Sequence, residues 1–521
     1  MSLLLLLFLP LLSLIYLLPK IILNKSRFNP PGPLGLPLIG NLHQIEQSSL
    51  HTSLWNLSKS YGPIVSLRFG FIPVIVVSSA SLAKEVMKTQ DLIFCSRPSL
   101  VGQQKVSYHG LEVIFSPYND YWKEMRKIFM LHLLGPKRVQ SFRHIREDEV
   151  TTAMKKIHEL ALSSKEVNLS EMMKSVASTI MMRVGFGKTY QDGHDRTEVL
   201  HRLTEVQAMM ADFFASDLWP GLPFVGLVDR LSGKTKRLDE CFRYFDLFYQ
   251  SLIDEHLKPE NTKSREGEED FVDILLRLKQ DQLFNLTHDH IKAMLMVVSK
   301  LNRLGLRNSF TGFTGWFNQD VLVAGTDTSS ATVVWAMTAL IKNPKVMKKV
   351  QEEVRNVVGK KSKVDEDDLP KLIYMKAVVK EIWRLYPTVP LLVPRETTKE
   401  TTLNGYKIKQ KTLVFINTLA IGRDPKSWDS PEEFLPERFL GSDIDFKGND
   451  FELTPFGAGR RICPGMTMGV VTVDLLLANL LYLFDWSLPD GIKKEDIDLE
   501  VMPGITMHKR NELCLLPHVY L

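Results

Sequence analysis

Cysteine is scarce. Only Cys95, Cys241, Cys463 and Cys514 occur in 521 residues, and none forms a CxxC pair. That excludes a disulfide framework and suits a reducing compartment. Charge of one sign is also lacking: the net charge is +5 and dispersed, too mild for a nucleic-acid partner. It is compatible with a membrane surface or an acidic protein. Internal repeats are absent. The N-terminus has no basic region ahead of its apolar run and no small-residue cleavage site, the two marks of a signal peptide.

What is present begins with residues 3–18, LLLLLFLPLLSLIYLL, uncharged and followed by Lys20, Lys25 and Arg27. Basic residues after the run keep the following chain on the cytosolic side. Residues 1–27 therefore read as an uncleaved membrane anchor, short against the roughly 20 residues a span needs. In the cytosol the glycosylation matches at Asn56, Asn168 and Asn285 stay unmodified. Residues 29–43, NPPGPLGLPLIGNLH, carry too much Pro and Gly for a helix and read as a stiff elbow.

With 44% hydrophobic and 24% charged residues, the remainder is globular. Its length allows two or three ordinary domains or one large one. Residues 64–79 predict a strand pair, and 344–358 predict a helix opened by Pro344. Short strands are expected over 402–416 and near the C-terminus, and 258–270 reads as an exposed charged loop. The apolar stretch 213–228 is either a buried loop or a membrane-touching one. Most other segments have helical period, so the fold class is mainly α with small β-sheets.

The most informative stretch is PFGAGRRICPG, residues 455–465. Pro464 after Cys463 predicts a helix start, whose dipole and free N–H groups favour a thiolate. Gly457 and Gly459 let the preceding backbone turn tightly, and Arg460 and Arg461 add positive charge. CPG alone reads as a buried cysteine at a helix start. Phe-x-x-Gly-x-Arg-x-Cys-x-Gly, with five residues at fixed spacing, is far more specific. Other pairs are weaker in isolation. Trp122 and Arg126 share a helix face in YWKEMRK, ordinarily a surface pairing. Glu381 and Arg384 lie one turn apart in KEIWRL, but Glu352 and Arg355 match the same pattern with no expected role. Asp327 and Thr328, in AGTDTSS, are consistent with a helix bend and a solvated acid.

Together these motifs resemble the cytochrome P450 haem-thiolate monooxygenases, and the resemblance runs from the anchor to the C-terminus. It implies one large haem domain over 28–521 and haem b held by the Cys463 thiolate. A thiolate ligand pushes electron density onto haem iron and favours O–O cleavage. By the same resemblance Phe456 shields the sulfur, and Trp122, Arg126, Arg395 (in LLVPRETT) and Arg461 meet haem propionates. Glu381, Arg384 and Arg438 (in FLPERF) form a buried cluster that locks the cysteine-side loop. Gly325 makes room for dioxygen, Thr328 offers a hydroxyl to it, and Asp327 relays protons. Dioxygen and electrons from an NADPH-cytochrome P450 reductase are the co-reactants, at the cytosolic face of the endoplasmic reticulum membrane. PPGPxGLPxIGNLHQ, SRP and DFKGxDFELxPFGxGRR are closest to plant microsomal members that oxidise aldoximes. A small hydrophobic substrate, aldoxime or phenylpropanoid-like, follows, faced by stretches 101–118, 213–228, 387–394 and 502–506. Substitutions in such pockets change the substrate readily.

One segment breaks the resemblance. Without residues 297–319 the flanks rejoin as HIKAMLMDVLVAGTDTSS, with Ile291, Met294, Leu295, Val321 and Leu322 in helical register. Within the insert, Gly305, Gly312 and Gly315 oppose a helix, each by about 1 kcal/mol relative to Ala. Its first residue, Val297, has codons that begin GT. Its last, Gln319, has a codon that ends AG, so the insert is compatible with a retained intron. A genuine loop insertion is the rival. Besides monooxygenation, a haem-thiolate isomerase or dehydratase needing no reductase, and a haem-binding but inactive isoform, remain as alternative functions.

Overall fold

The computed structural model describes residues 29–46, 49–187, 213–258, 269–282, 284–296 and 321–520. The anchor segment 1–27 and the insert 297–319 lie outside the described residues.

Helices dominate. The longer ones are α1 (Leu50–Tyr61), α2 (Asp120–Ile128), α3 (Arg143–Leu162), α4 (Leu169–Phe186) and α5 (Lys234–His256). They continue with α6 (Phe271–Gln280), α7 (His288–Met296), α8 (Val321–Lys342), α9 (Pro344–Val358), α10 (Ile373–Leu385) and α11 (Met466–Leu483). Their ends follow local chemistry. Asn119 caps α2 by accepting from the Trp122 N–H at 2.8 Å, and Asn168 caps α4 by accepting from Glu171 N–H at 3.1 Å. In α9, Pro344 opens the helix, Met347, Val350, Val354 and Val358 bury one stripe, and Gly359 at φ +68° ends it.

Nine strands form three small sheets among the described residues. β1 (Ile64–Phe69), β2 (Ile72–Val77), β7 (Leu413–Ile416) and β4 (Arg395–Glu396) make the largest, in that order. β2 and β7 run parallel, with Val74 opposite Leu413, and the other pairs are antiparallel. β3 (Val167–Asn168), β9 (Cys514–Val519) and β8 (Phe484–Ser487) form a second sheet. β5 (Thr401–Leu403) and β6 (Tyr406–Ile408) form a hairpin.

Two helices organise the core. α11 is the one described helix long and apolar enough to cross a membrane, but 67% of it is buried inside the protein. A helix apolar on all sides belongs in the core. It packs against α3, α8 and α9, while α8 packs most extensively against α4. That packing explains Gly325. A Cβ there would lie 2.7 Å from the Met181 Sδ on α4. The missing side chain therefore admits a neighbouring helix.

The segment 213–228 divides, with Phe214 and Leu218 buried in the core and residues 220–224 exposed. It forms short helices at Ala215–Leu218 and Val225–Leu231, with Phe224 80% and Leu231 79% exposed.

Candidate functional site

Cys463 lies between a tight turn, Gly459–Arg461, and the start of α11. Gly457 and Gly459, at φ +67° and +68°, supply the left-handed backbone the turn requires. At Gly459 a Cβ would overlap the Met87 carbonyl oxygen, so no other residue fits. Cys463 N–H donates to Phe456 O at 2.9 Å, closing the loop on itself. The helix begins at Met466 with Gly465 as its N-cap, so Pro464 stands just before the helix rather than at its first position. The Gly465 N–H still points at the sulfur and, with Arg126, draws the thiol pKa down. Burial is the larger influence and pushes it up.

Phe456 is fixed in an aromatic trio, its ring centroid 5.2 Å from Trp383 and 5.8 Å from Phe446. It lies against the first turns of α11 beside Gly469.

Around this loop the structure gathers cationic groups. Arg97, Arg395 and Arg461 are buried, and Arg126 is half-buried. Arg461 donates to the carbonyls of Cys95, Val113 and Ser116. Arg97 donates to those of Ile114, Val393 and Pro394. Arg126 reaches Ile462 O at 2.7 Å, and Arg395 reaches Ala458 O at 3.0 Å and Asp91 at 3.2 Å. Burial lowers the pKa of all four, with Arg461 pushed down to about 10. Their buried acids are Asp91 and Glu112, and burial drives Glu112 toward its neutral form. Four guanidinium groups against two acids leave a surplus of positive charge, which a buried site tolerates only with a further anion. Haem, with two propionates and an iron that takes a thiolate, fits this donor set. Trp122 has partners of its own within the protein. Its Nε1–H donates to Val113 O at 2.8 Å, and its ring serves as a platform for Arg461 at 4.1 Å and Arg126 at 5.6 Å.

Glu381, Arg384 and Arg438 converge. Glu381 and Arg384 form a two-pronged pair at 2.7 Å for each prong, both groups fully buried, and Arg438 joins at 3.2 Å. Arg384 and Arg438 then tie down carbonyls between Gly422 and Glu433. Every charge has partners, as burial demands.

Asp327 and Thr328 occupy α8 but face different surroundings. Asp327 is fully buried, not solvated, and its Oδ2 lies 2.9 Å from His508 Nε2. Thr328 is half-buried, and its carbonyl accepts from Thr332 Oγ1 at 2.7 Å. Sequence reasoning missed Arg97 and His508. Arg97 was visible only as part of SRP; His508 follows closely on a stretch assigned to substrate contact, with no local signal of its own.

The family described as Cytochrome P450 matches residues 30–299 and 318–515. The chain belongs to the cytochrome P450 family. The P450 is 49% identical over 501 residues to 6,7,8-trihydroxycoumarin synthase of Pastinaca sativa, covering 94% of this chain and 93% of that one. It is 46% identical over 501 residues to 5-OH-xanthotoxin synthase of Ammi majus, covering 94% and 93%. It is 45% identical over 523 residues to Cytochrome P450 71B37 of Arabidopsis thaliana, covering 99% of each. A zebra fish cytochrome P450 solved with abiraterone matches at TM-score 0.67 and 24% identity, covering 90% of this chain and 98% of that one. This P450 is thus a plant A-type haem-thiolate monooxygenase acting on plant metabolites, with dioxygen as co-substrate.

Proposed function

We propose that this P450 oxidises a small hydrophobic aromatic metabolite of the phenylpropanoid type, with electrons from NADPH delivered by a membrane-bound reductase. The observation that carries the chemistry is the Cys463 loop set beside buried cations in excess of buried acids. Relatives named for coumarin and xanthotoxin products favour the phenylpropanoid-like substrate over an aldoxime. Haem bound here supplies the chemistry that splits dioxygen and inserts one oxygen atom. The chain's residues do the rest. Cys463 would hold the iron through its sulfur, and Phe456 would screen that sulfur. Arg126, Arg395 and Arg461 neutralise the propionates, with Trp122 holding two of those guanidinium planes. Glu381, Arg384 and Arg438 keep the cysteine-side loop rigid, while Asp327 and Thr328 handle protons and dioxygen. The apolar run at 1–27 and the exposed Phe224 and Leu231 support attachment to the endoplasmic reticulum membrane from the cytosolic side.

The second reading is an isoform silenced by residues 297–319. It is supported by the break in the family match between 299 and 318, directly ahead of α8. Both readings are tested by the reduced, carbon-monoxide-bound spectrum of this chain and of one lacking 297–319. Turnover of coumarin and aldoxime panels with NADPH and reductase accompanies the spectra. A red-shifted thiolate band in both chains, with coumarin turnover, supports the main reading. A band in the shortened chain alone supports the silenced isoform. No band in either refutes haem-thiolate chemistry.

A further inference from the structure

Asp327 is fully buried, so a proton that it relays must reach it through another group. His508 is the group in position, its Nε2 2.9 Å from Asp327 Oδ2 and the residue 5% exposed. The loop that carries it is pinned from several sides. Met507 N–H donates to Thr388 O at 2.7 Å, and the His508 carbonyl accepts from Met502 N–H at 2.9 Å. The Met507 carbonyl accepts from Trp335 Nε1 at 2.7 Å. Trp335 lies on α8, about two turns beyond Asp327, with its ring stacked 4.8 Å from Tyr386. The helix bearing the acid therefore also holds its partner in place.

His508 also borders a narrow crevice between α8 and α4, shared with Lys174, Ser330 and Glu512. Its cavity volume of about 10 Å³ is at the lower limit for admitting a single water. Lys174 is half-buried beside it, and desolvation lowers its ammonium to about 8. Asp327 is the acid that most opposes that shift, so the lysine and the buried carboxylate share one electrostatic environment.

We propose that His508 is the positioning and proton-transferring partner of Asp327, linking it to solvent through the crevice lined by Lys174 and Glu512. The imidazole takes up a proton at one ring nitrogen from crevice water and releases the other, from Nε2, to the carboxylate. One proton crosses and the ring's charge is unchanged; tautomer exchange through the water resets it. The proposal rests on the monooxygenase reading above.

The test is His508→Gln, which keeps a nitrogen donor near Oδ2 but cannot pass a proton. The variant should keep the thiolate band and still consume NADPH. Product per NADPH should fall about ten-fold or more, peroxide should rise to match, and the solvent isotope effect should increase. A readout without turnover uses the ferrous carbon-monoxide form labelled with nitrogen-15 histidine. The Nε2 resonance missing in His508→Gln should shift in Asp327→Asn. Parental coupling and isotope effect in His508→Gln, or an unmoved resonance, overturns the proposal. If His508→Gln loses the thiolate band, Lys174→Met carries the same turnover test with the Asp327 contact intact. Failure of the underlying reading shows separately, as a parent chain without the band, and takes the proposal with it.

Discussion

Asp474 is the one charged residue in α11, 5% exposed among leucines and valines. Burial raises its carboxyl from 3.8 to about 7, with Lys376 opposing. The folded protein thus keeps this proton over a pH range in which the unfolded chain has lost it. The stabilisation is complete below about pH 4 and is lost as pH rises through 7. That interval converts to roughly 4 kcal/mol. Asp474→Asn has nearly the same shape and cannot ionise, so it should be the more stable protein at neutral and higher pH. Its advantage over the parent should grow by about 3 kcal/mol between pH 5 and pH 8, then level off. Urea titrations of both proteins at matched pH, compared as differences, measure this directly. A difference that stays constant with pH, or shrinks as pH rises, refutes the argument that desolvation controls this carboxyl.

Cys463→Ser should fold yet give no red-shifted band with carbon monoxide, because the axial sulfur is gone; a retained band would point to another ligand. Gly459→Ala should lose haem retention, since its Cβ meets a backbone carbonyl that cannot move aside and its φ is +68°. Haem content per folded protein checks this. Arg384→Leu leaves the Glu381 carboxylate buried with one remaining arginine, at a cost of about 3–5 kcal/mol. Thermal unfolding should show that loss, and unchanged unfolding would remove Glu381 and Arg384 from the structural account.

Several features are legible in the amino-acid order alone. Residues 344–358 predict α9 with the bounds it has, because Pro344 opens it, its apolar residues recur every three or four positions and Gly359 closes it. The β1–β2 pair is legible for a similar reason: β-branched runs flank a glycine turn. The cysteine loop is legible because its demands are local, a left-handed backbone at two glycines and a sulfur at a helix start. The packing partners of Gly325 and Trp122 are not legible because they lie far from those residues' own helical turns. Gly325 meets Met181 of α4, and the Trp122 indole N–H meets the Val113 carbonyl. Local pattern carries no information about which surface such residues meet.

By itself, then, the sequence determined the family, the helical class and the loop that presents Cys463, since these depend on backbone conformation and short-range spacing. Only the tertiary structure decided how charge is distributed around that loop and which group faces Asp327. Arg97, Arg395 and Arg461 come from three distant segments, and His508 lies 181 residues beyond Asp327. Burial sets the strength of such interactions, and burial belongs to the packed whole rather than to any stretch of chain.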